Sequence, residues 1–453
     1  MPAKKYDVLV AGGGTGRDVV LAAEAQGLSV ALVEKGPIGG TCHNRGCMPS
    51  KMLIRSADVA LTVRSGERFG VKAAIERVDF PSIVQSVFAV LDEETREREE
   101  ALRASQMVDF YQMEGKFVGP KTMRVGDEEI TADRVFIFGG TRPVVPRIKG
   151  LETVPYLTSD EALRLEGQPA RLAILGGGYV AAELAHFFGS LGTEVAVLVR
   201  EDRLLDREDR EISDWFSREF AAMHDVRFNS EAEEFSRSNG DILIKMKGSD
   251  QTVLVDQVLL ATGRKPNSDR WDIAATGVEL DDSGYIKINE HMETNVDGVW
   301  ALGDITGVMP LKHVAVRQAR HVIRAAFHVE RQPMDYRAIP HAVFSSPQVA
   351  AVGKTEEQLR NQGVRYKVGR HEFKNTGMGM ALKENGLVKI LAGEDDEILG
   401  CHIVGPDAST LIQEAVVAMN ATGRLDGIVD SVHAHPALSQ VVEEAAKAAA
   451  GAQ

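Results

Sequence analysis

Cysteine is almost missing from this chain, with three residues in 453. So few exclude a disulfide-stapled secreted scaffold, and a reducing cytoplasm is the natural compartment. There, a close cysteine pair serves catalysis, redox sensing or metal binding more often than structure. Long apolar runs are missing too: none approaches the roughly 18–20 residues that a membrane span needs. Positive charge is in deficit. Against 66 Asp and Glu stand 52 Lys and Arg, a formal net charge of -14, which disfavours nucleic acid and anionic membranes as partners. The chain runs from Lys4-Lys5 straight into a short apolar segment ending in glycines, so no signal peptide is expected. What remains is an ordinary globular composition, 44% hydrophobic and 26% charged, long enough for several domains.

Two of the three cysteines fall in one stretch, Gly39-Gly40-Thr41-Cys42-His43-Asn44-Arg45-Gly46-Cys47-Met48-Pro49-Ser50-Lys51, just after a strand-like run, Val30–Glu34. Met48–Val59 reads as an amphipathic helix whose first turn tolerates Pro49. On a regular helix, cysteines five positions apart would hold their Cα atoms roughly 8–9 Å apart, beyond the ~4.4–6.8 Å of a disulfide. If they bond, the first turn must be irregular, and Gly46 supplies that freedom. Cys47 then lies near the positive end of the helix dipole, which favours a reactive thiolate. A pair of ordinary buried cysteines is the other reading of the stretch by itself.

Ahead of it, Tyr6–Ala11 is a buried strand running into Gly12-Gly13-Gly14-Thr15-Gly16, then a helix (Val19–Gln26) and a strand ending at Glu34. Gly12 permits the tight turn, Gly14 lets a pyrophosphate approach the helix N-terminus, and Glu34 accepts from a ribose hydroxyl. Arg17 stands where the third glycine of this fingerprint is expected, so helix–strand packing should loosen there or Arg17 lean toward the phosphates. A second unit of the same kind follows: strand Leu172–Leu175, Gly176-Gly177-Gly178-Tyr179, a helix to Leu191 and a strand Glu194–Val199. Two such units imply two dinucleotides and electron transfer between them. The second strand ends in Arg200, followed by Arg203. An arginine there pairs with a 2′-phosphate, favouring NADPH over NADH, unless Glu201 and Asp202 make Arg200 an ordinary surface ion pair.

Phe80–Arg103 reads as a long helix whose acidic run, Asp92–Glu100, is a solvated face. Short strands are expected around Phe110–Glu114, Met123–Val125 and Arg134–Phe138, then at Val253–Leu260 and Val299–Asp304, with a helix from about Leu311. From Arg337 the pattern turns to strands (Ala342–Phe344, Gly386–Leu391, Leu399–Val404) and two helices (Ser409–Ala421, Leu438–Ala450), a separate α+β unit. Cys401 lies in one of these strands as a small core residue.

GGTCHNRGCMPSK, ATGRKPN, ALGD and HAHPAL, in this order along essentially the whole chain, make it resemble a class I pyridine nucleotide–disulfide oxidoreductase. That family includes dihydrolipoamide dehydrogenase, glutathione reductase and mycothione reductase. The resemblance implies an α/β fold, with two Rossmann-like dinucleotide-binding domains plus a C-terminal α+β dimerisation domain. An FAD-binding domain (1–150 and 272–336) is interrupted by an NAD(P)-binding domain (151–271), and 337–453 forms a homodimer interface. By the same resemblance, Gly12, Gly14, Glu34, Lys51, Thr141, Gly303 and Asp304 serve FAD. Gly176, Gly178, Tyr179, Arg200, Arg203 and Gly263 serve NAD(P). Lys51 pairs with Glu183, and the helix beginning near Lys312-His313 aims its N-terminus at the flavin. Cys42, the more exposed thiol, attacks a substrate disulfide and Cys47 resolves the mixed disulfide. His435 is the acid–base across the dimer interface and His433 supports it. No metal is implied.

One departure stands out. The family places a glutamate five residues after this histidine, and here the residue is Gln440. An amide orients an imidazole but does not stabilise imidazolium by charge, so slower turnover or a displaced pH optimum is expected. Glu443 and Glu444 continue the helix and are expected to face elsewhere. GGGYVAAELAHFF, LKHVAVRQAR and HPALSQVVEEA look closest to mycothione reductases, whereas HAHPAL and ILGCHIVGPDAS look like dihydrolipoamide dehydrogenases. Mercuric reductase is disfavoured, since the last cysteine is Cys401. A flavin diaphorase or redox-sensing flavoprotein with weak disulfide turnover is the alternative that Gln440 leaves open.

Overall fold

The N-terminal strand is apolar on both faces, as befits the centre of a covered parallel sheet. In the computed structural model, which describes residues 3–328 and 332–451, that strand is β1 (Lys4–Ala11). It is followed by α1 (Gly16–Ala25), β2 (Val30–Val33), α2 (Gly40–Arg45), α3 (Cys47–Ser65), α4 (Phe80–Ala104), β3 (Val108–Tyr111), β4 (Gly115–Gly119), β5 (Thr122–Val125) and β6 (Glu128–Ile137). The sheet order is β3-β2-β1-β6-β5-β4. Val8 and Val10 face α1 through Val19, Val20 and Ala23, while Leu9 and Ala11 pack on the other side with Val135 and Ile137. Residues 329–331, within the span assigned above to the FAD-binding domain, lie outside the described residues.

Next come β7 (Thr141–Pro143), β8 (Leu157–Thr158), α5 (Ser159–Ala162), β9 (Arg171–Leu175), α6 (Tyr179–Leu191), β10 (Glu194–Leu198), α7 (Arg210–Ala221) and β11 (Asp225–Arg227). Strands β12 (Ala232–Ser238), β13 (Asp241–Met246), β14 (Thr252–Val255), β15 (Gln257–Leu260) and β16 (Arg264–Pro266) complete this part. A second parallel sheet has the order β11-β10-β9-β15-β8, with the antiparallel β12-β13-β14 beside it. The single strand expected over Val253–Leu260 is therefore two. It breaks at Asp256, whose carboxylate accepts from the N–H groups of Ala170 and Arg171.

The chain returns through α8 (Ser268–Trp271) to β17 (Val299–Ala301), which adds to the first sheet in parallel with β6, and then enters α9 (Lys312–His328). The last unit holds β18 (Pro340–Val343), β19 (Gln348–Gly353), α10 (Glu356–Asn361), β20 (Lys367–Glu372), α11 (Gly377–Leu382), β21 (Leu387–Ala392), β22 (Ile398–Gly405), α12 (Ala408–Ala421), α13 (Asp426–Val429) and α14 (Gln440–Ala450). Its antiparallel sheet runs β18-β19-β22-β21-β20, with α12 and α14 packed on it. Strands β19 and β20 are absent from the sequence reading; Cys401 is fully buried in this core, as expected. The buried Lys389 of β21 reaches Asp209, at the start of α7, at 2.8 Å and Glu356 at 2.6 Å, tying the last unit to the second sheet. No helix among the described residues is long and apolar enough to cross a membrane.

Candidate active site

The irregularity that the cysteine spacing demands is present. Cys42 sits in α2, Cys47 opens α3, and Gly46 breaks the two helices at φ -150°, ψ -118°. Both sulfurs are free thiols here. Cys42 donates to the Cys47 sulfur; this bond, with Lys51 nearby, draws the Cys47 thiol down to about 7, while the same bond and burial push Cys42 up. One proton is thus shared unequally, and Cys47 is the sulfur of the pair that ionises first. Both sulfurs line a cavity of about 330 Å³, onto which the start of α3 opens at Cys47.

That cavity gathers residues far apart in sequence. Its lining includes Gly14 and Glu34 from the first glycine unit, Lys51 from α3, Thr141, Tyr179 and Glu183 from α6, Gly303 and Asp304, and Lys312. Lys51 Nζ donates to both Glu183 oxygens at 2.8 and 2.7 Å, and the Phe344 N–H donates to Glu183 at 3.0 Å. Thr141 Oγ1 donates to the half-buried Asp304 at 3.1 Å and accepts from Arg264 Nε at 2.8 Å. Burial raises the Asp304 carboxyl, against the pull of Arg264. Glu34 braces the glycine turn by accepting from the N–H groups of Gly13 at 2.9 Å and Gly36 at 2.8 Å.

The glycine turns fit dinucleotides. A Cβ on Gly12 would lie 2.3 Å from the Phe138 carbonyl oxygen and one on Gly16 2.8 Å from Val10, so both are glycine for packing. Gly16, not position 17, is the close-packing glycine; this corrects the expected loosening, and Arg17 instead leaves a buried Nε without a partner. On Gly14 a Cβ would meet nothing nearer than 3.6 Å, and on Gly178 nothing within 4 Å. Helices α1 and α6 carry no side-chain cap, so their first N–H groups are free for a phosphate. In the second unit Gly176 adopts φ +126° against the Ala261 carbonyl, and Gly263 is at φ +103°. Arg200 is exposed and donates to Glu201, the ion pairing weighed above, and Arg203 donates to Asp202.

His435 and Gln440 are not part of the cavity lining; they lie together on the surface of the last unit. His435 Nδ1 is 2.9 Å from Gln440 Oε1, which also accepts from the Ala437 N–H at 3.4 Å. A backbone N–H only donates, so this oxygen assignment makes Nδ1 the protonated nitrogen and turns the Nε2 lone pair outward. Glu443 does not face away from the histidine pair. It lies 3.3 Å from His433 Nδ1, while Glu414 holds Nε2 of the same ring. Sequence reasoning gave no role to Arg264, although the motif ATGRKPN holds it, nor to the Lys312 side chain or to Asp160 and Arg45, an ion pair at 3.7 Å on the cavity wall.

Residues 6–319 match the family described as pyridine nucleotide-disulphide oxidoreductase, and residues 339–446 its dimerisation domain. The chain belongs to this family. Mycothione reductase of Mycobacterium tuberculosis (strain H37Rv) is 34% identical, over 97% of this chain and 98% of the relative. A dihydrolipoyl dehydrogenase of Bacillus subtilis (strain 168) is 33% identical, over 99% of each chain. Among solved structures, the HOCl-induced flavoprotein disulfide reductase RclA from Escherichia coli superposes with a TM-score of 0.86 at 25% identity, covering 98% of this chain and 99% of that one. The protein is thus an FAD-dependent oxidoreductase that moves electrons between a pyridine nucleotide and a disulfide or dithiol. Its dimerisation domain supports a homodimer.

Proposed function

We propose that this chain is an NADPH-preferring reductase of a low-molecular-weight disulfide, of the mycothione or glutathione reductase kind, or works as a dihydrolipoamide dehydrogenase, through the Cys42–Cys47 pair. The observation that carries the reading is the unequal thiol pair at the α2–α3 break, facing a cavity shared with Lys51 and Glu183. In this reading residues 1–150 with 272–336 hold FAD, 151–271 hold the nicotinamide nucleotide, and 337–453 form the dimer. Gly12, Gly14, Glu34, Thr141, Gly303 and Asp304 bind FAD, which supplies two-electron transfer between nicotinamide and the sulfur pair. Gly176, Gly178, Tyr179, Arg200, Arg203 and Gly263 bind the second nucleotide. The absence of an acid at the end of β10 supports NADPH, with Arg200 leaving Glu201 for the 2′-phosphate. The scarcity of cysteine, three residues in 453, supports a cytoplasmic setting.

Cys42 loses its proton to His435 acting across the dimer and attacks one substrate sulfur. The substrate S–S bond breaks, a mixed disulfide forms on Cys42, and the departing thiolate takes a proton. Cys47 then attacks Cys42, re-forming the internal disulfide and releasing the second thiol. Lys51 keeps Cys47 ionised for that step, and Glu183 holds Lys51 in place. Gln440 favours keeping a second reading, a diaphorase with weak disulfide turnover.

Anaerobic NADPH titration separates the two. A disulfide reductase consumes two electron pairs and develops long-wavelength thiolate–flavin absorbance; uptake of one pair with no new band refutes the disulfide reading. Cys42→Ser is expected to abolish disulfide turnover and keep NAD(P)H-to-quinone activity, and equal loss of both would refute the assigned roles. A substrate screen over lipoamide, glutathione disulfide, mycothione and bis-γ-glutamylcystine with both nucleotides identifies the acceptor.

A further inference from the structure

The second glycine turn is held from behind. The Leu205 N–H donates to the Gly177 carbonyl at 2.8 Å. A trans peptide is planar, with its C=O and N–H pointing opposite ways, so fixing the Gly177 oxygen also fixes the Gly178 N–H, turned away from Leu205. Gly178 is the residue at the start of α6 whose side-chain position is open. Leu205 is buried yet sits in the left-handed region, at φ +52°, a conformation that a non-glycine residue keeps only where its surroundings hold it. Its neighbours supply the hold. The Leu204 N–H donates to Ser217 Oγ at 2.8 Å, the Leu204 carbonyl accepts from Ser213 Oγ at 2.5 Å, and the Leu205 carbonyl accepts from the Glu208 N–H at 2.9 Å. The next two side chains reach out of this unit. Glu208 lies 2.8 Å from His341 Nε2 on β18, and Asp209 accepts from Lys389 Nζ on β21 at 2.8 Å and from the Glu356 N–H at 3.0 Å. Asp209 and Lys389 are fully buried, and all three partners belong to the dimerisation domain.

We propose that Leu204–Asp209 is a strut through which the dimerisation domain orients the Gly178 N–H for a phosphate of the nicotinamide nucleotide, with Glu208 and Asp209 as its positioning residues. This rests on the second glycine turn binding that nucleotide, as in the proposed function. Two backbone hydrogen bonds connect the Gly177 carbonyl to Glu208, so a shift at the anchored end reaches the turn with little slack. A misdirected N–H leaves a phosphate oxygen without its donor, and binding weakens. The flavin side is untouched, since no residue of the strut lines the cavity with the sulfurs.

The test uses FAD-loaded wild-type, Glu208→Ala, Glu208→Gln and Glu208→Ala/Lys389→Met enzymes. Calorimetric titration with NADP+ and with NAD+ reads affinity, and hydrogen-exchange mass spectrometry reads the Leu205 amide. Affinity for the nucleotide that the wild type prefers is expected to fall about threefold in Glu208→Ala and about tenfold in the double variant, part of the worth of a charged hydrogen bond. The Leu205 amide should exchange faster in both, with FAD content unchanged. Glu208→Gln keeps an acceptor for His341 and should retain the wild-type values. Cys401→Ala, which opens a cavity in the core of the same domain away from the strut, should lower stability and leave affinity alone. Wild-type affinity in Glu208→Ala and in the double variant overturns the proposal; where the double variant does not fold, wild-type affinity in Glu208→Ala does so by itself. Equal weakening in Cys401→Ala also overturns it, since affinity would then follow stability alone. If the wild type binds neither nucleotide, the assignment of the second glycine turn has failed, and the proposal with it.

Discussion

Lys51→Met perturbs two quantities that the structure links. The Lys51 ammonium donates to both oxygens of Glu183, a side chain only 6% exposed, and its charge favours the Cys47 thiolate. Without it, Glu183 stays buried with the Phe344 N–H as its remaining polar partner. Breaking a fully buried pair costs about 3–5 kcal/mol; with Lys51 itself 32% exposed, the expected loss is about 2–3 kcal/mol. Glu183 also opposes Cys47 ionisation while Lys51 favours it, so the variant loses the attraction and keeps the repulsion. Cys47 titrates at about 7 in the wild type, so about half of it is thiolate at that pH. A rise of about one unit, ordinary for removing one adjacent charge, leaves about one-tenth ionised. The sign is definite: a thiol lowered by its partners loses its thiolate as pH falls through its folded value, and the variant loses it at higher pH. Chemical denaturation reads the first effect, and the pH profile of Cys47 alkylation in the reduced enzyme reads the second. Lys51→Met/Glu183→Leu should recover most of the lost stability but not the wild-type alkylation profile. A single variant with unchanged stability and an unmoved Cys47 profile would refute the reasoning.

Gly178→Ala should leave stability within about 0.5 kcal/mol, because the new methyl meets no protein atom within 4 Å, yet weaken nicotinamide nucleotide binding at least tenfold by occupying the approach to α6; calorimetric titration and thermal unfolding measure the two. Arg200→Ala should lower kcat/KM for NADPH by about 10–100-fold and leave that for NADH nearly unchanged, the size of a charged hydrogen bond. Should NADH already be the better nucleotide, the reading of the end of β10 is wrong. Gln440→Glu should speed the thiol half-reaction about tenfold and shift its pH profile upward, since a carboxylate 2.9 Å from His435 Nδ1 stabilises imidazolium where the amide does not. Stopped-flow comparison across pH is the measurement.

Much of the site was legible before the structure because it is written in local geometry. The alternating valines of β1, the left-handed Gly12 and Gly176, and the strand–turn–helix order each need only neighbours within a few residues. The cysteine spacing carried its own demand for a break, met at Gly46. Gln440 was expected behind His435 and is found there, five residues on and at the start of α14. Legibility failed where contacts close over long separations. The role of Gly16 depends on Val10 and Phe138, the break in Val253–Leu260 on a carboxylate that caps another strand's start, and the partner of Glu443 on the turn that brings His433 back.

The sequence by itself determined the class of chemistry: glycine turns with room for phosphates and a cysteine pair at a helix start follow from residue identity and spacing, and no other residues can substitute for them. Tertiary structure alone decided which residues line the cavity with the sulfurs and which partner each cation finds. Lys51 meets Glu183 across 132 positions and Lys312 meets Thr15 across 297. Charges so far apart in the chain acquire their partners only when the sheets pack, and electrostatic strength depends on that final distance and burial.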